Sequence, residues 1–321
     1  MSAIAFEQVS LRFAEAARPA VDGCTFAVQP GELVVILGPS GCGKTTLLKM
    51  VNRLYEPTQG SIFLSGNNIR KLKATELRRQ IGYVIQQSGL FPHMTVAQNV
   101  AVVPKLLGWG RSKIQMRVDE LLQLVALPPQ EYRDRYPAQL SGGQQQRVGV
   151  ARALAGDPQV ILMDEPFGAI DAITRTALQD EILRLQHQLQ KTILFVSHDV
   201  DEAMRLADRI LVMQAGQIVQ FDTPFNLLTQ PRNDFIRSLL GSEDVMRQLG
   251  LLRVAAAMQN LPDTFDLDNQ PRLSPQASLR EALSLMLRTG ASQIAIAERD
   301  RPVGVLSLAQ IQQAVKQSES C

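Results

Sequence analysis

Cysteine is scarce in this chain. Cys24, Cys42 and Cys321 are the three in 321 residues, and their spacing matches neither a metal ribbon nor a disulfide framework, which suits a reducing compartment. Long apolar runs are missing too. No stretch approaches the ~20 consecutive apolar residues that cross a bilayer. The opening MSAIAFEQVS lacks the basic-then-apolar pattern of a signal sequence. The expectation is a cytosolic chain with no membrane-spanning pore of its own. Aromatics make up 5% of residues, so basic clusters such as Arg70, Lys71, Lys73, Arg78 and Arg79 have little to interleave with. They read as a solvated face rather than a groove for stacked bases, and no nucleic-acid partner is expected. A net charge of +2 argues in neither direction. Apolar residues are plentiful, 45% against 20% charged, which is enough for a substantial core. The length predicts one large and one small domain.

The stretch GPSGCGKTT, Gly38 to Thr46, fits the phosphate-loop pattern G-x-x-x-x-G-K-[ST]. An apolar run, ELVVIL, precedes it as a buried strand, and TTLLKMVNRL follows it as a helix. A strand, a glycine turn and a helix N-terminus together form an anion site, because successive backbone N–H groups and the positive end of the helix face the phosphates. The loop residues Gly38, Pro39, Ser40, Gly41, Cys42, Gly43, Lys44, Thr45 and Thr46 are therefore expected to line a nucleoside triphosphate. Lys44 should reach the β- and γ-phosphates, and the Thr45 hydroxyl should hold Mg²⁺. Cys42 sits beside Lys44 and a helix N-terminus, two influences that lower a thiol pKa. Alkylation that inhibits and is blocked by ATP is the expectation.

Further along, Ser141, Gly142 and Gly143 precede Gln144 and a helix, a second small-residue turn that could face phosphate. The apolar strand VILM ends in Asp164 and Glu165. Adjacent strand side chains point to opposite sides, so the two acids are expected to do different jobs, Asp164 holding Mg²⁺ and Glu165 facing the attacking water. A third apolar run, TILFVSHD, leads to His198. Taken singly, Ser-Gly-Gly also reads as a helix cap, the acid pair as a solvated strand end, and His198 as a satisfied core histidine.

Order and spacing together resemble the ATP-binding subunits of ABC transporters over residues 4–235. The resemblance makes LSGGQ, from Leu140, the family signature; Asp164-Glu165 the Walker B pair; Gly168–Asp171 the D-loop; Gln86 the Q-loop glutamine; and His198 the switch histidine. It places Phe13 against adenine, with a core phenylalanine as the alternative. Gln86 joins Thr45 and Asp164 around the metal, and Glu165, His198, Lys44 and Gln86 become the catalytic set. Ser141 and Gly143 of a second copy would close the site, giving an ATP-sandwich homodimer, and Gly142, Gln144 and Asp171 join the nucleotide-binding residues. The D-loop departs from the pattern in reading GAID, with Ile170 and Ala172 where leucine and proline are usual; isoleucine for leucine keeps the volume.

Apolar runs alternating with amphipathic stretches predict an α/β fold with a parallel sheet core and an antiparallel β flank. Residues 90–150 hold helical patterns and resemble the family's helical subdomain, with Ser88–Thr95 as the surface offered to a membrane subunit. The expected organisation is an ATP-binding domain over 1–235, a helical linker and spacer over 236–272, and a small α+β unit over 273–321. Arg237–Met258 reads as helical. The last unit resembles a single CBS repeat: helix SLREALSLMLRTG, two β runs around Glu298–Pro302, then AQIQQAV. Ser307 and Gln310 stand where nucleotide-binding CBS pockets carry T-x-x-D, which argues against ribose binding.

KMVNRLYEPTQGSI, the segment around Gln86 and the signature region resemble importers of osmoprotectant quaternary amines such as glycine betaine, carnitine and choline. The resemblance implies transmembrane permease subunits, a separate substrate-binding protein with aromatic cages for the cation, and a peripheral place on the cytoplasmic face of the inner membrane. An importer of amino acids or another small polar solute is the alternative. An ATPase acting on DNA or ribosomes would show zinc cysteines, coiled-coil insertions or two fused cassettes, none of which the sequence has. A non-catalytic regulatory subunit would not have every catalytic position filled.

Overall fold

The computed structural model describes residues 2–14, 16–86, 89–168, 171–241, 245–261, 270–298 and 301–319. The chain forms two compact units, residues 1–221 and 222–321. The second begins earlier than the boundary at 235 expected from the sequence.

In the first unit, β1 (Ile4–Leu11) and β2 (Val21–Val28) pair antiparallel with Phe6 opposite Phe26, their rings stacked at 4.4 Å. The register shifts between Phe6 and Val9, where Gln8 adopts φ 49°. That bulge lets Ile4 and Phe6, then Val9 and Leu11, all face the core despite the odd spacing between the pairs. β3 (Leu33–Leu37) leads into α1 (Lys44–Val51). β4 (Gln59–Leu64) and β5 (Asn67–Asn68) return to the flank, giving the order β2-β1-β4-β5. Then come α2 (Ala74–Arg79) and β6 (Ile81–Val84).

Five helices follow without an intervening strand among the described residues: α3 (Val96–Val100), α4 (Val102–Leu106), α5 (Arg111–Leu124), α6 (Pro129–Tyr132) and α7 (Gly142–Leu154). The turn leading into them is built around Asn99, which has no solvent exposure. Asn99 Oδ1 accepts from the Phe91 N–H at 2.8 Å, and its Nδ2 donates to the carbonyls of Phe91, Met94 and Thr95 at 3.0–3.2 Å. One buried amide thus satisfies a turn that leaves Phe91, Pro92 and His93 exposed. Ser88, the first residue of the expected docking segment, lies outside the described residues.

The chain returns to the central sheet through β7 (Val160–Asp164), α8 (Ala172–Leu189), β8 (Thr192–Val196), α9 (Val200–Leu206), β9 (Arg209–Gln214) and β10 (Gln217–Asp222). The sheet order is β10-β9-β3-β8-β7-β6, with β3 parallel to β8 and β9, and β7 parallel to β6 and β8. Every residue of β3 and β8 is buried. Uninterrupted apolar runs are what a parallel sheet covered on both faces demands, and the carboxyl ends of its strands carry the loops of interest.

The second unit opens with α10 (Pro224–Thr229), α11 (Asp234–Leu240), α12 (Val245–Leu251) and α13 (Val254–Ala257). The helical stretch expected over Arg237–Met258 is therefore broken into short pieces: Gly241 ends α11 at φ 61°, and Arg253 is extended before α13. After β11 (Arg272–Leu273) come α14 (Leu279–Thr289), β12 (Gln293–Glu298), β13 (Arg301–Ser307) and α15 (Leu308–Glu319). Ser278 and Glu281 form a reciprocal capping box at the start of α14, and Gly290 closes it at φ 71°. β11 pairs parallel and β13 antiparallel with β12, and Leu279, Met286, Ile294, Ile296, Leu306 and Ile311 make the core. Ser307 and Gln310 bond each other at the start of α15: the Gln310 N–H donates to Ser307 Oγ at 3.4 Å, and the Ser307 N–H to Gln310 Oε1 at 2.5 Å. Arg299, Asp300 and Cys321 lie outside the described residues, as does most of the expected spacer before β11.

Candidate nucleotide site

The loop between β3 and α1 has glycine where only glycine fits. Gly38 and Gly43 stand at φ 156° and 108°. A Cβ at Gly38 would meet the Met213 carbonyl oxygen at 2.3 Å, and one at Gly43 the Ala20 carbonyl oxygen at 2.3 Å. The result is a tight backbone concavity at a helix N-terminus, a shape and polarity suited to phosphate. Lys44 is 5% exposed, and its Nζ donates to the carbonyls of Gly38 at 2.7 Å and Pro39 at 3.0 Å. The ammonium is folded over its own loop, next to where an anion would enter.

Thr45 Oγ1 donates to Asp164 Oδ1 at 2.9 Å, joining the first turn of α1 to the end of β7. Burial pushes the Asp164 carboxyl above the usual carboxylate range, with the Thr45 hydrogen bond and then Lys49 opposing. A divalent cation would offset that desolvation. The hydroxyl and carboxylate fit Mg²⁺, which takes few protein oxygens and completes its shell with water and phosphate. Among the described residues no cluster of three or more His, Cys, Asp and Glu offers an alternative metal cage.

Glu165 requires a correction of the expected geometry. β7 ends at Asp164, and Glu165 lies beyond it in the left-handed region at φ 45°. The two acids diverge because the chain turns there, rather than by strand alternation. The Glu165 N–H donates to Val196 O at 3.0 Å, which ties the turn to the end of β8. Its Oε2 lies 3.2 Å from His198 Nδ1 and accepts from Gln86 Nε2 at 3.4 Å. The structure thus gathers Glu165, Gln86 and His198 at one point, and links Thr45 to Asp164 at another. A carboxylate held this way can accept a proton from water, and the histidine and glutamine can donate to an anion beside it.

Phe13 lies past the end of β1, 42% exposed, edge-on to Tyr55 at 5.4 Å. It is not a core phenylalanine, and its free face suits a planar base. Ser141 caps α7 through a reciprocal box with Gln144, whose Nε2 also donates to Tyr132 Oη at 3.2 Å. Ser141 and Gly142 are exposed, whereas Gly143 is buried, and a Cβ there would meet Thr174 Cγ2 at 2.6 Å. Asp171 caps α8, accepting from the Thr174 N–H at 3.0 Å. Ala169 and Ile170 of the expected D-loop lie outside the described residues.

Cys42 corrects a second expectation. The thiol is 4% exposed, and burial raises its pKa, outweighing the lowering by Lys44. Proximity to a cation was visible in the sequence, but enclosure by the fold was not. Sequence reading also missed Tyr55 beside Phe13 and the buried Glu202 behind His198. The only signal for Glu202 was its place on the apolar side of α9 with Ala203 and Leu206.

No helix of the described residues is long and apolar enough to cross a membrane. The family profile for ABC transporters matches residues 21–168. A Bacillus subtilis (strain 168) glycine betaine/carnitine/choline transport ATP-binding protein is 49% identical over 91% of this chain and 75% of its own length. A glycine betaine uptake system ATP-binding protein of Escherichia coli (strain K12) is 47% identical over 94% of this chain and 97% of its own. A dimeric ATP-binding cassette solved in a post-hydrolysis state with ADP and Pi superposes with TM-score 0.61 and 32% identity, over 69% of this chain and 98% of that one. With its phosphate loop, its paired acids and similarity of this extent, the chain belongs to the ABC transporter family, as one of its ATP-binding, ATP-hydrolysing subunits.

Proposed function

We propose that this chain energises import of quaternary-amine osmoprotectants, the class of glycine betaine, carnitine and choline, through separate permease subunits served by a substrate-binding protein. The observation that carries the reading is similarity over 91–94% of the chain, through both units, to relatives whose names specify these solutes. Two copies work together. The exposed Ser141 and Gly142 of one would reach the triphosphate bound by the other, closing a site that is open on one side in a single chain. A second copy as partner is supported by the dimeric form of the related cassette.

Within the site, Phe13 stacks on adenine, and the loop amides of Gly38–Thr46 and Lys44 hold the phosphates. Thr45 and Asp164, with Gln86, would hold Mg²⁺, which would supply charge neutralisation. Glu165 takes a proton from the attacking water, and His198 holds the γ-phosphate in line. Positioning and electrostatics supply most of the acceleration in such transfers. ATP favours the closed dimer, and its loss reopens it, which is the differential affinity that drives a transport cycle.

The exposed turn Gly89–Thr95, clamped by Asn99, serves as the docking surface for the permease. The β11-α14-β12-β13-α15 succession supports a single CBS-like unit with a regulatory or dimer-stabilising role. The Ser307–Gln310 cap occupies the place where a ribose-binding acid would stand. The chain acts as a peripheral protein on the cytoplasmic face of the inner membrane.

The test is ATPase activity of the chain assembled with its permease in lipid vesicles. Binding protein loaded with glycine betaine should stimulate turnover. Indifference to betaine, with stimulation by a binding protein carrying an amino acid, would overturn the solute class and keep the ATPase.

A further inference from the structure

Behind Glu165 and His198 lies a cleft of about 70 Å³, lined by these two and by Arg175, Ser197, Asp199 and Glu202 among others. Glu202 is 7% exposed. Its Oε2 accepts a short hydrogen bond from the Ser197 hydroxyl, and its Oε1 accepts from Gln179 Nε2 at 3.2 Å. Ser197 Oγ in turn accepts from the Asp199 N–H at 3.0 Å, and the Glu202 N–H donates to Asp199 Oδ1 at 3.1 Å. These bonds close a ring around one residue, His198. The His198 side chain is 60% exposed, so packing does little to aim it, and its direction is set by the backbone between Ser197 and Asp199.

We propose that Glu202 is a positioning residue for ATP hydrolysis: it fixes the Ser197–Asp199 turn so that His198 meets Glu165, and it ties that turn to α8. The inference rests on the roles of Glu165 and His198 given above. Each anchor is local. The Ser197 N–H donates to Ile36 O at 3.1 Å, next to the phosphate loop, and Gln179 belongs to the helix that Asp171 caps. A shift of α8 therefore reaches the histidine through one carboxylate. Burial raises Glu202 above the usual carboxylate range, against the hydrogen bonds from Ser197 and Gln179. A buried acid is a costly way to fill core, where an apolar side chain of similar size serves stability as well or better. That cost is intelligible if the site needs hydrogen bonds at this point.

The test uses the full chain with Glu202→Met, Glu202→Gln and Ser197→Ala, alone and with His198→Ala. Misplacing a catalytic contact by about 1 Å costs up to about a hundred-fold. Glu202→Met and Ser197→Ala should therefore lower kcat by about ten-fold or more, with ATP affinity within about two-fold. Glu202→Gln, which keeps an acceptor oxygen, should recover most of the rate. Combined with His198→Ala, Glu202→Met should cost nothing further, since it acts through that side chain. Wild-type turnover in both Glu202→Met and Ser197→Ala would overturn the proposal, as would a full additional loss on top of His198→Ala. Should Glu202→Met not fold, Ser197→Ala decides by the same criteria. Normal turnover in His198→Ala and Glu165→Gln would instead overturn the reading of the hydrolytic site itself.

Discussion

Glu165 Oε2 and His198 Nδ1 lie 3.2 Å apart, although neither residue belongs to the strand that precedes it. β7 and β8 run parallel with Asp164 beside Val196, so the residues that leave the two strand ends emerge as neighbours. The Glu165 N–H bonded to Val196 O fixes the spacing. A carboxylate and an imidazole are thus placed together by sheet register.

Glu165→Gln keeps the shape and removes the proposed base. Loss of a general base costs about a hundred-fold to ten-thousand-fold in rate, so ATP binding should survive while turnover nearly stops. With ATP, the variant should elute as a dimer in size-exclusion chromatography. Near-normal turnover would remove Glu165 from the base role.

A lysine ammonium has three N–H donors. Two of those on Lys44 go to the Gly38 and Pro39 carbonyls, and the proposed phosphate contact would use the third or replace one of them. Lys44→Ala should weaken ATP binding about ten- to a hundred-fold, the worth of a charge-assisted hydrogen bond. It should weaken adenosine binding hardly at all. Calorimetry with both ligands checks the contrast, and equal losses for the two would count against a phosphate-directed lysine.

Cys42 should resist alkylation. Its thiol is buried and its pKa raised, so labelling of the folded chain should be slow and no slower with ATP present. Labelling in denaturant should be fast. Mass spectrometry of the peptide containing Cys42 reads this directly, and rapid labelling blocked by ATP would restore the reactive-thiol expectation.

Glu281 should make the second unit sensitive to acid. Hydrogen bonds from the backbone and then the side chain of Ser278 hold its pKa below the ordinary 4.5. The folded state therefore favours the carboxylate, so the stabilisation is complete above about pH 4.5 and fades as pH falls through the lower folded value. Glu281→Gln cannot titrate. The difference in melting temperature between the two proteins should be largest near neutrality and shrink on acidification, and a difference independent of pH would refute the assignment.

The parts legible in the sequence are those fixed by neighbours along the chain. The phosphate loop needs glycine at Gly38 and Gly43 and a helix starting at Lys44, and all three requirements show in nine consecutive residues. The apolar runs of β3, β7 and β8 announce a buried parallel sheet for the same reason. What escaped depends on distant segments. The divergence of Asp164 and Glu165 comes from a turn anchored to Val196, and the burial of Cys42 from enclosure by the fold. The breaks in the helical stretch after Arg237 were half-visible in Gly241. The burial of Glu202 likewise depends on a distant segment, since Gln179 of α8 donates to its carboxylate.

The amide of Asn99 has a mechanical meaning. The carbonyls of Phe91, Met94 and Thr95 all converge on one sealed side chain that is itself part of α3. Turn and helix therefore share a single anchor, so a partner docked on the turn as proposed would have to displace α3 with it or break those bonds.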